Sequence, residues 1–554
     1  MATAGPAAMA GDDAKVTAVV TPAGGVDWPG IRQHMAITEG TAEFGFWGTD
    51  RSTYSNWTSH SNRLIPVYSF GTLGGADGVD LNSWMGPKSP YRSEQAVQRL
   101  YGYIPEKTVR ADADWMDQTN IFDLQLAASS AGKKYIFLVI FDGMDWQTTQ
   151  AAAVWNRKAV TYTEGRGDGT FFQTYDAGGT SQFGYMVTSP HNEGTDVDVD
   201  AQTVKNPGGT MRGGYDPDVA GRFPWSNAPD PGYLISKGLE SSPKHAYTDS
   251  SSSASSMTAG IKTFNGAVNV EATGAPVATI AHLVQEKGWR VGAVSSVPIS
   301  HATPAASYAH NVSRDDYQDL TRDMLGLPSI QHPTQPLAGL DVVIGGGYGH
   351  KAKTADGVKA QGMNFVEGNV YLTDEDLAKV DAKNGGKYVT AVRTSGQAGR
   401  DTLLAAAKAA AEGNQRILGF YGNGAYNGHL PFQTADGQYD PALGKSGKAE
   451  TYSRADLREN PGLSDMTEAA LVVLGRDGQP FWLMVESGDV DWANHDNNVD
   501  NSIGAVNSGD AAIRVITSWV EKNSNWNESL LIVTADHGHM LNLTKPELLV
   551  GPRK

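Results

Sequence analysis

The sequence predicts an α/β protein with a mostly parallel central sheet flanked by helices on both faces, and three observations carry that reading. From Tyr135 onward, short continuous apolar runs alternate with helical periods, the pattern of buried parallel strands joined by crossover helices. Four of the runs lead into polar residues able to do chemistry: Asp142, the pair His301 and Thr303, the group Glu486 to His495, and Asp536 with His537. In parallel sheets ligands gather beyond the carboxyl ends of the strands, so such residues there share one edge. The third observation is the serine-rich stretch 248–265, in which Ala254, Met257, Ile261 and Phe264 recur at helical spacing.

Taken in order, residues 1–134 are rich in Gly, Ser, Trp and Tyr with few sustained apolar periods. They read as an irregular N-terminal extension, partly packed on the core through 64–68. Residues 135–554 read as one α/β domain carrying insertions. Its first strand is the run YIFLVIF from Tyr135 to Phe141, and a helix follows over 148–155. About 158–245 reads as a Gly-, Asp- and Pro-rich insertion that shapes a pocket rim, since connections this long usually carry function. The stretch 248–265 fits a flexible linker by composition and a helix start by pattern, with Asp249 as N-cap and Asn265-Gly266 as the stop. In the second case Ser250 sits in the first turn, where free backbone N–H groups favour an anion. A helix is expected over 276–287, a strand over 289–296, a helix over 303–314 and a strand over 340–344. Further insertions fall at about 348–397 and 423–458. Helices over 401–412, 464–474 and 512–522 alternate with strands over 417–421, 481–485 and 530–534.

Composition narrows the function classes. Of 554 residues, 40% are hydrophobic and 9% aromatic, enough for a substantial core. Acidic residues exceed basic ones, 61 against 44, and the net charge of -17 disfavours sequence-independent nucleic-acid binding. With no cysteine, disulfides, thiolate nucleophiles and Cys-ligated zinc are excluded, so any metal is held by His, Asp, Glu or hydroxyls. No run of about 18 apolar residues is present to span a membrane. The first residues, MATAGPAAMAGDDAKV, lack the basic then apolar pattern of an export signal, and a mature start whose signal was removed is the expectation.

The strand-end residues suit metal chemistry. Asp491 with His495, and Asp536 with His537, supply the imidazole and carboxylate donors that zinc takes when cysteine is absent. Glu486 and the Thr303 hydroxyl are harder oxygen donors suited to magnesium.

In this setting Asp249-Ser250, followed by small residues and GIKTFN, resembles the nucleophile motif of the alkaline phosphatase family. Asp142 in FDGM resembles that family's bridging aspartate, and HATPAA with Arg314 its magnesium segment and phosphate-clamping arginine. Glu486, Asp491 and His495, then Asp536 and His537, resemble the remaining magnesium and zinc ligands. The resemblance makes residues 135–554 the catalytic domain and implies hydrolysis of small phosphate monoesters through a phosphoserine on Ser250, with Arg314 and Asp249 at the substrate. It implies two Zn2+ and one Mg2+, with Ser250 beside a zinc, and activity that rises toward alkaline pH. It also implies a periplasmic or secreted enzyme and leaves a homodimer open. Specialisation for phosphodiesters, sulfate esters or phosphoryl transfer is the alternative, and a non-catalytic phosphate- or metal-binding surface protein a more distant one.

Two departures stand out. His301 occupies a position where some members carry aspartate and others histidine, and Trp492 follows the zinc aspartate, so either the third site is open to Zn2+ or Co2+ in place of magnesium, or His301 only hydrogen-bonds a metal-bound water. The zinc at Asp491 and His495 lacks its second histidine, because none follows His539. The candidates to complete it are His539, His429, His350 or a C-terminal segment beyond this chain.

Overall fold

The computed structural model describes residues 26–54, 58–235, 243–352 and 354–552; the expectation about the first residues and export lies outside them. A ten-stranded sheet runs through the molecule. In chain order its strands are β1 (Ile65–Phe70), β2 (Met116–Asp117), β3 (Tyr135–Phe141), β4 (Gln182–Val187), β5 (Arg290–Pro298), β6 (Val342–Gly346), β7 (Tyr388–Val392), β8 (Arg416–Phe420), β9 (Phe481–Ser487) and β10 (Ser529–Ala535). Their order across the sheet is β7-β8-β6-β5-β9-β3-β10-β1-β4-β2. From β7 to β10 every neighbouring pair is parallel. Of these ten strands only β1 runs against the others, antiparallel to both β10 and β4.

Helices cover both faces, as the continuous apolar strands require. Alternation along β9 shows the two environments: Phe481 packs its ring against Trp519, while Trp482 donates its indole N–H to Gln125 at 2.7 Å. Trp519 lies on the long helix Val499–Asn523, and Gln125 on Asn120–Ser130. Strands β3, β9 and β10 are buried from end to end. Each fully buried Val, Leu or Ile there contributes about 1.5–3 kcal/mol.

Register sets up the site. Phe141 pairs with Ser487 on one side and Ala535 on the other, so the residues just past them, Asp142, Gly488 and Asp536, emerge side by side. Ser295 pairs with Glu486. The long helix approaches this end closely at Gly509, where a Cβ would fall 2.1 Å from the Phe141 ring. Any larger residue would push the helix off the strand that carries Asp142.

The structure amends several expectations. The first 134 residues, read as an irregular extension, supply β1 and β2 to the sheet, and 64–68 lies mostly within a fully buried strand. The stretch 158–245 contains β4, and 348–397 contains the edge strand β7. The helix expected over 303–314 is the short Ala302–Ala306, after which Asn311 pairs with Val268. The helix expected over 512–522 begins at Val499.

Candidate active site

The serine-rich stretch is a helix, Ser250–Ala259, capped by the Asp249 side chain on the Ser252 N–H at 3.0 Å. The linker reading is thereby set aside. Every residue of the helix is buried, which is tolerable only because its hydroxyls find partners. Ser251 donates to Asp249 at 2.8 Å, Ser255 accepts from the Asn269 N–H at 2.9 Å, and Ser256 donates to the Ile261 carbonyl at 2.9 Å. Ala254 and Met257 join the core. Gly260 ends the helix in the left-handed region at φ 70°.

The helix start delivers Ser250 to the sheet edge. Its Oγ lies 3.2 Å from His537 Nε2. The same nitrogen is 3.2 Å from Asp142 Oδ1 and 3.4 Å from Asp536 Oδ2. A tetrahedral zinc with bonds near 2.0–2.1 Å separates its ligands by about 3.3 Å, and Ser250, Asp142 and Asp536 each stand at about that spacing from His537.

A second set gathers on Asp491. His495 Nε2 and His60 Nε2 lie 3.4 and 3.5 Å from Asp491 Oδ1, and 3.2 Å from each other. These again are the edges of a tetrahedral face. His60 donates its Nδ1–H to the Thr248 carbonyl at 2.9 Å, and His495 donates its own to the Thr58 carbonyl. Each ring is thus fixed in the tautomer that turns an Nε2 lone pair into the site. His539 Nε2 stands closer, 2.7 Å from Asp491 Oδ1, the distance of a hydrogen bond that orients the carboxylate.

His60 is not among the residues the sequence singles out. Two of the candidate histidines lie elsewhere: His429 binds Glu450 at 3.0 Å, and His350 stacks on Tyr371. The physical reason His60 arrives is the reversed direction of β1, which puts that strand's amino end, rather than its carboxyl end, at the active edge. His60 pairs there with His539 in a two-residue bridge. The available signal is a histidine just ahead of an apolar run, in a region without helical or strand periodicity.

The remaining residues flank these sets. Glu486 accepts a hydrogen bond from Ser295, and the Thr303 side chain lies beside it. His301 lies apart from the grouped metal donors, its ring edge-on to Trp492 and stacked toward Tyr317. Arg314 Nη1 holds Asp249 Oδ2 at 3.0 Å, and that oxygen also accepts the Gly266 N–H at 3.0 Å. Burial alone would raise the Asp249 carboxyl, but the Arg314 guanidinium and the Ser252 N–H hold it at about 2. Asp249 is therefore a charged anchor for Arg314. Replacing Arg314 with lysine keeps the charge and loses the planar fork. If the site acts on phosphate monoesters, as the resemblance implies, kcat/KM for one is expected to fall by about 10- to 100-fold in steady-state kinetics, with the melting temperature nearly unchanged.

Electrostatics argue for bound cations. Burial, then the neighbouring carboxylates Asp491 and Glu486, push Asp142 well above the carboxylate range. Burial raises Glu486 to about 8 and, with the charge of Asp142, raises Asp536 to about 7. Both oxygens of Asp142, Glu486 Oε1 and Thr303 Oγ1 are buried without a hydrogen-bond partner. Clustered acids in this state fit divalent ions, which neutralise them and use the open lone pairs.

Comparison with known proteins gives the family. The family model for alkaline phosphatase matches residues 234–549. This chain belongs to the alkaline phosphatase family. Asp142 and His60 lie ahead of the matched span yet join its residues at one edge. The chain is 30% identical over 311 residues to an alkaline phosphatase of Escherichia fergusonii, covering 54% of this chain and 60% of the relative. It is 26% identical over 296 residues to alkaline phosphatase 3 of Bacillus subtilis, covering 53% and 50%. The matches thus span about half to three fifths of these relatives. Among solved structures, a cold-active alkaline phosphatase from Shewanella sp. matches at 20% identity and a TM-score of 0.41, covering 73% of this chain and 68% of that one.

Proposed function

We propose that the protein is an alkaline phosphatase that hydrolyses small phosphate monoesters through a phosphoserine on Ser250. The observation that carries this reading is the convergence of one helix-start serine with two carboxylate-imidazole sets and an arginine. Zinc would be held by Asp491, His495 and His60 in one set and by Asp142, Asp536, His537 and Ser250 in the other. Glu486 and Thr303, with His301 nearby, would hold magnesium, or Zn2+ or Co2+ in its place. When bound, these ions supply charge neutralisation and activation of hydroxyl and water.

The chain's own residues do the rest. Ser250 Oγ attacks phosphorus as the bond to the ester oxygen breaks, so the phosphoryl group passes to serine and the alcohol departs. Water then attacks the same phosphorus, releasing phosphate and restoring the serine. Backbone N–H groups at the helix start face the incoming dianion. Arg314 orients two of its oxygens, and Asp249 keeps that arginine in place. His539 fixes the Asp491 carboxylate.

The preference for monoesters rests on positive charge: Arg314 and a third cation beside Glu486 suit a dianion better than a diester. No helix among the described residues is long and apolar enough to cross a membrane. A periplasmic or secreted location and a homodimer accompany the family reading as parts of the proposal. The test compares p-nitrophenyl phosphate, its bis-ester and the sulfate before and after chelation. The monoester is expected to turn over fastest, chelation to lower the rate by more than about a hundredfold, and zinc with magnesium to restore it. A faster diester or sulfate, or insensitivity to chelation, would overturn the proposal.

A further inference from the structure

A second group of metal-type donors lies away from the active edge. His310 follows the short helix Ala302–Ala306, Asp323 sits on the helix Tyr317–Leu325, and His332 lies in the connection that leads to the amino end of β6. His310 Nε2 is 2.9 Å from the Val277 carbonyl. A carbonyl only accepts, so the ring proton is on Nε2 and Nδ1 keeps its lone pair. That lone pair faces His332 Nε2 at 3.0 Å, and His332 Nε2 is 3.9 Å from Asp323 Oδ2. All three donor atoms lie within 4.8 Å of one another, around the ligand separation of about 3.3 Å expected for zinc.

The surroundings are those of a ligand set. Asp323 is fully buried and accepts from the His310 backbone N–H at 3.0 Å and the Ser329 hydroxyl at 2.5 Å. Among the described residues it pairs with no Lys or Arg. His310 thus shows the arrangement common to metal-bound histidines, with its far nitrogen tied to a carbonyl, and the carboxylate is oriented by two donors. His332, at 19% side-chain exposure, leaves a way in from solvent.

We propose that His310 Nδ1, Asp323 Oδ2 and His332 Nε2 form a binding site for one zinc-class divalent ion, separate from the active-site ions. Two imidazoles and one carboxylate select zinc or cobalt over magnesium or calcium. The ion would tie the 326–340 connection to the segment that holds Arg314, whose backbone N–H bonds the Gly266 carbonyl at 2.7 Å. Its role is to brace that segment, and it makes no contact with substrate. The inference stands whether or not the catalytic reading does.

The test uses the full chain saturated with Zn2+, freed of excess and analysed for metal content. His332→Ala is expected to hold one zinc fewer per chain, to keep kcat within about twofold, and to melt about 2 °C or more lower in zinc. Anomalous scattering at the zinc edge on the unaltered protein is expected to show a peak between the three side chains. That measurement decides the matter even if the variant folds poorly. Equal zinc content in both proteins, or no anomalous peak there, would show a hydrogen-bonded histidine pair only and overturn the proposal.

Discussion

Replacing Ser250 with alanine is expected to lower kcat for a phosphate monoester by at least about a thousandfold while both metal-donor sets stay in place. Ser250 is the serine whose hydroxyl meets His537 at 3.2 Å. The nearby Ser253 hydroxyl is committed to the Ser250 carbonyl at 3.1 Å and to Asp536 at 3.3 Å, so it does not stand in for the nucleophile. The substitution removes one oxygen from a helix whose N-cap is Asp249, so the cap bond survives and folding should be little affected. The measurement pairs steady-state turnover with acid quenching and mass spectrometry. Unaltered protein should yield a phosphorylated peptide containing Ser250, and the variant none. In excess zinc the metal content should stay within error of the unaltered chain, because Asp142, Asp536 and His537 remain to hold that ion. Wild-type turnover in the variant would remove the phosphoserine mechanism and leave the family assignment standing.

Much of this site was legible because buried parallel strands advertise themselves. Tyr135–Phe141 and Ser529–Ala535 are apolar almost throughout, and the residue after a buried strand must emerge at an edge. Asp142, Glu486, Asp491 and Asp536 could be placed together on that ground alone. The helix at Ser250 was legible in its cap, while its stop is Gly260 rather than the expected Asn265-Gly266, and its body was obscured because serine composition imitates a linker. Strands without such runs stayed hidden. β1 carries Pro66 and Ser69, and β4 carries Gly184, whose added Cβ would fall 2.3 Å from the Met85 sulfur. Gly504 and Gly509 lower the apparent helicity of 499–511, although they are there to let that helix approach Gln433 and Phe141. His60 was missed for a topological reason. A rule that looks past carboxyl ends overlooks a strand that enters the sheet backwards.

His60 therefore carries the second large prediction. His60→Ala should weaken binding of one zinc by more than about a hundredfold, because even residues that only orient a ligand cost about 10- to 100-fold when removed. At limiting zinc, kcat/KM should fall at least in proportion, and excess zinc or added imidazole should recover part of it. A competition titration against a chromophoric chelator measures the affinity, and metal analysis after desalting should show one zinc fewer. The ring also stacks on His537 with centroids 3.6 Å apart, so its loss loosens the neighbouring set. Ser250→Ala and His60→Ala then separate cleanly: the first silences chemistry with metals retained, the second loses a metal and with it the chemistry. His539 offers the competing arrangement, with Nε2 2.7 Å from Asp491. If His60→Ala keeps full zinc content and activity while His539→Ala does not, His539 is the ligand and His60 a stacking partner. If the prediction holds, the first 134 residues are part of the catalytic unit, since the loop before β1 brings one of that zinc's ligands.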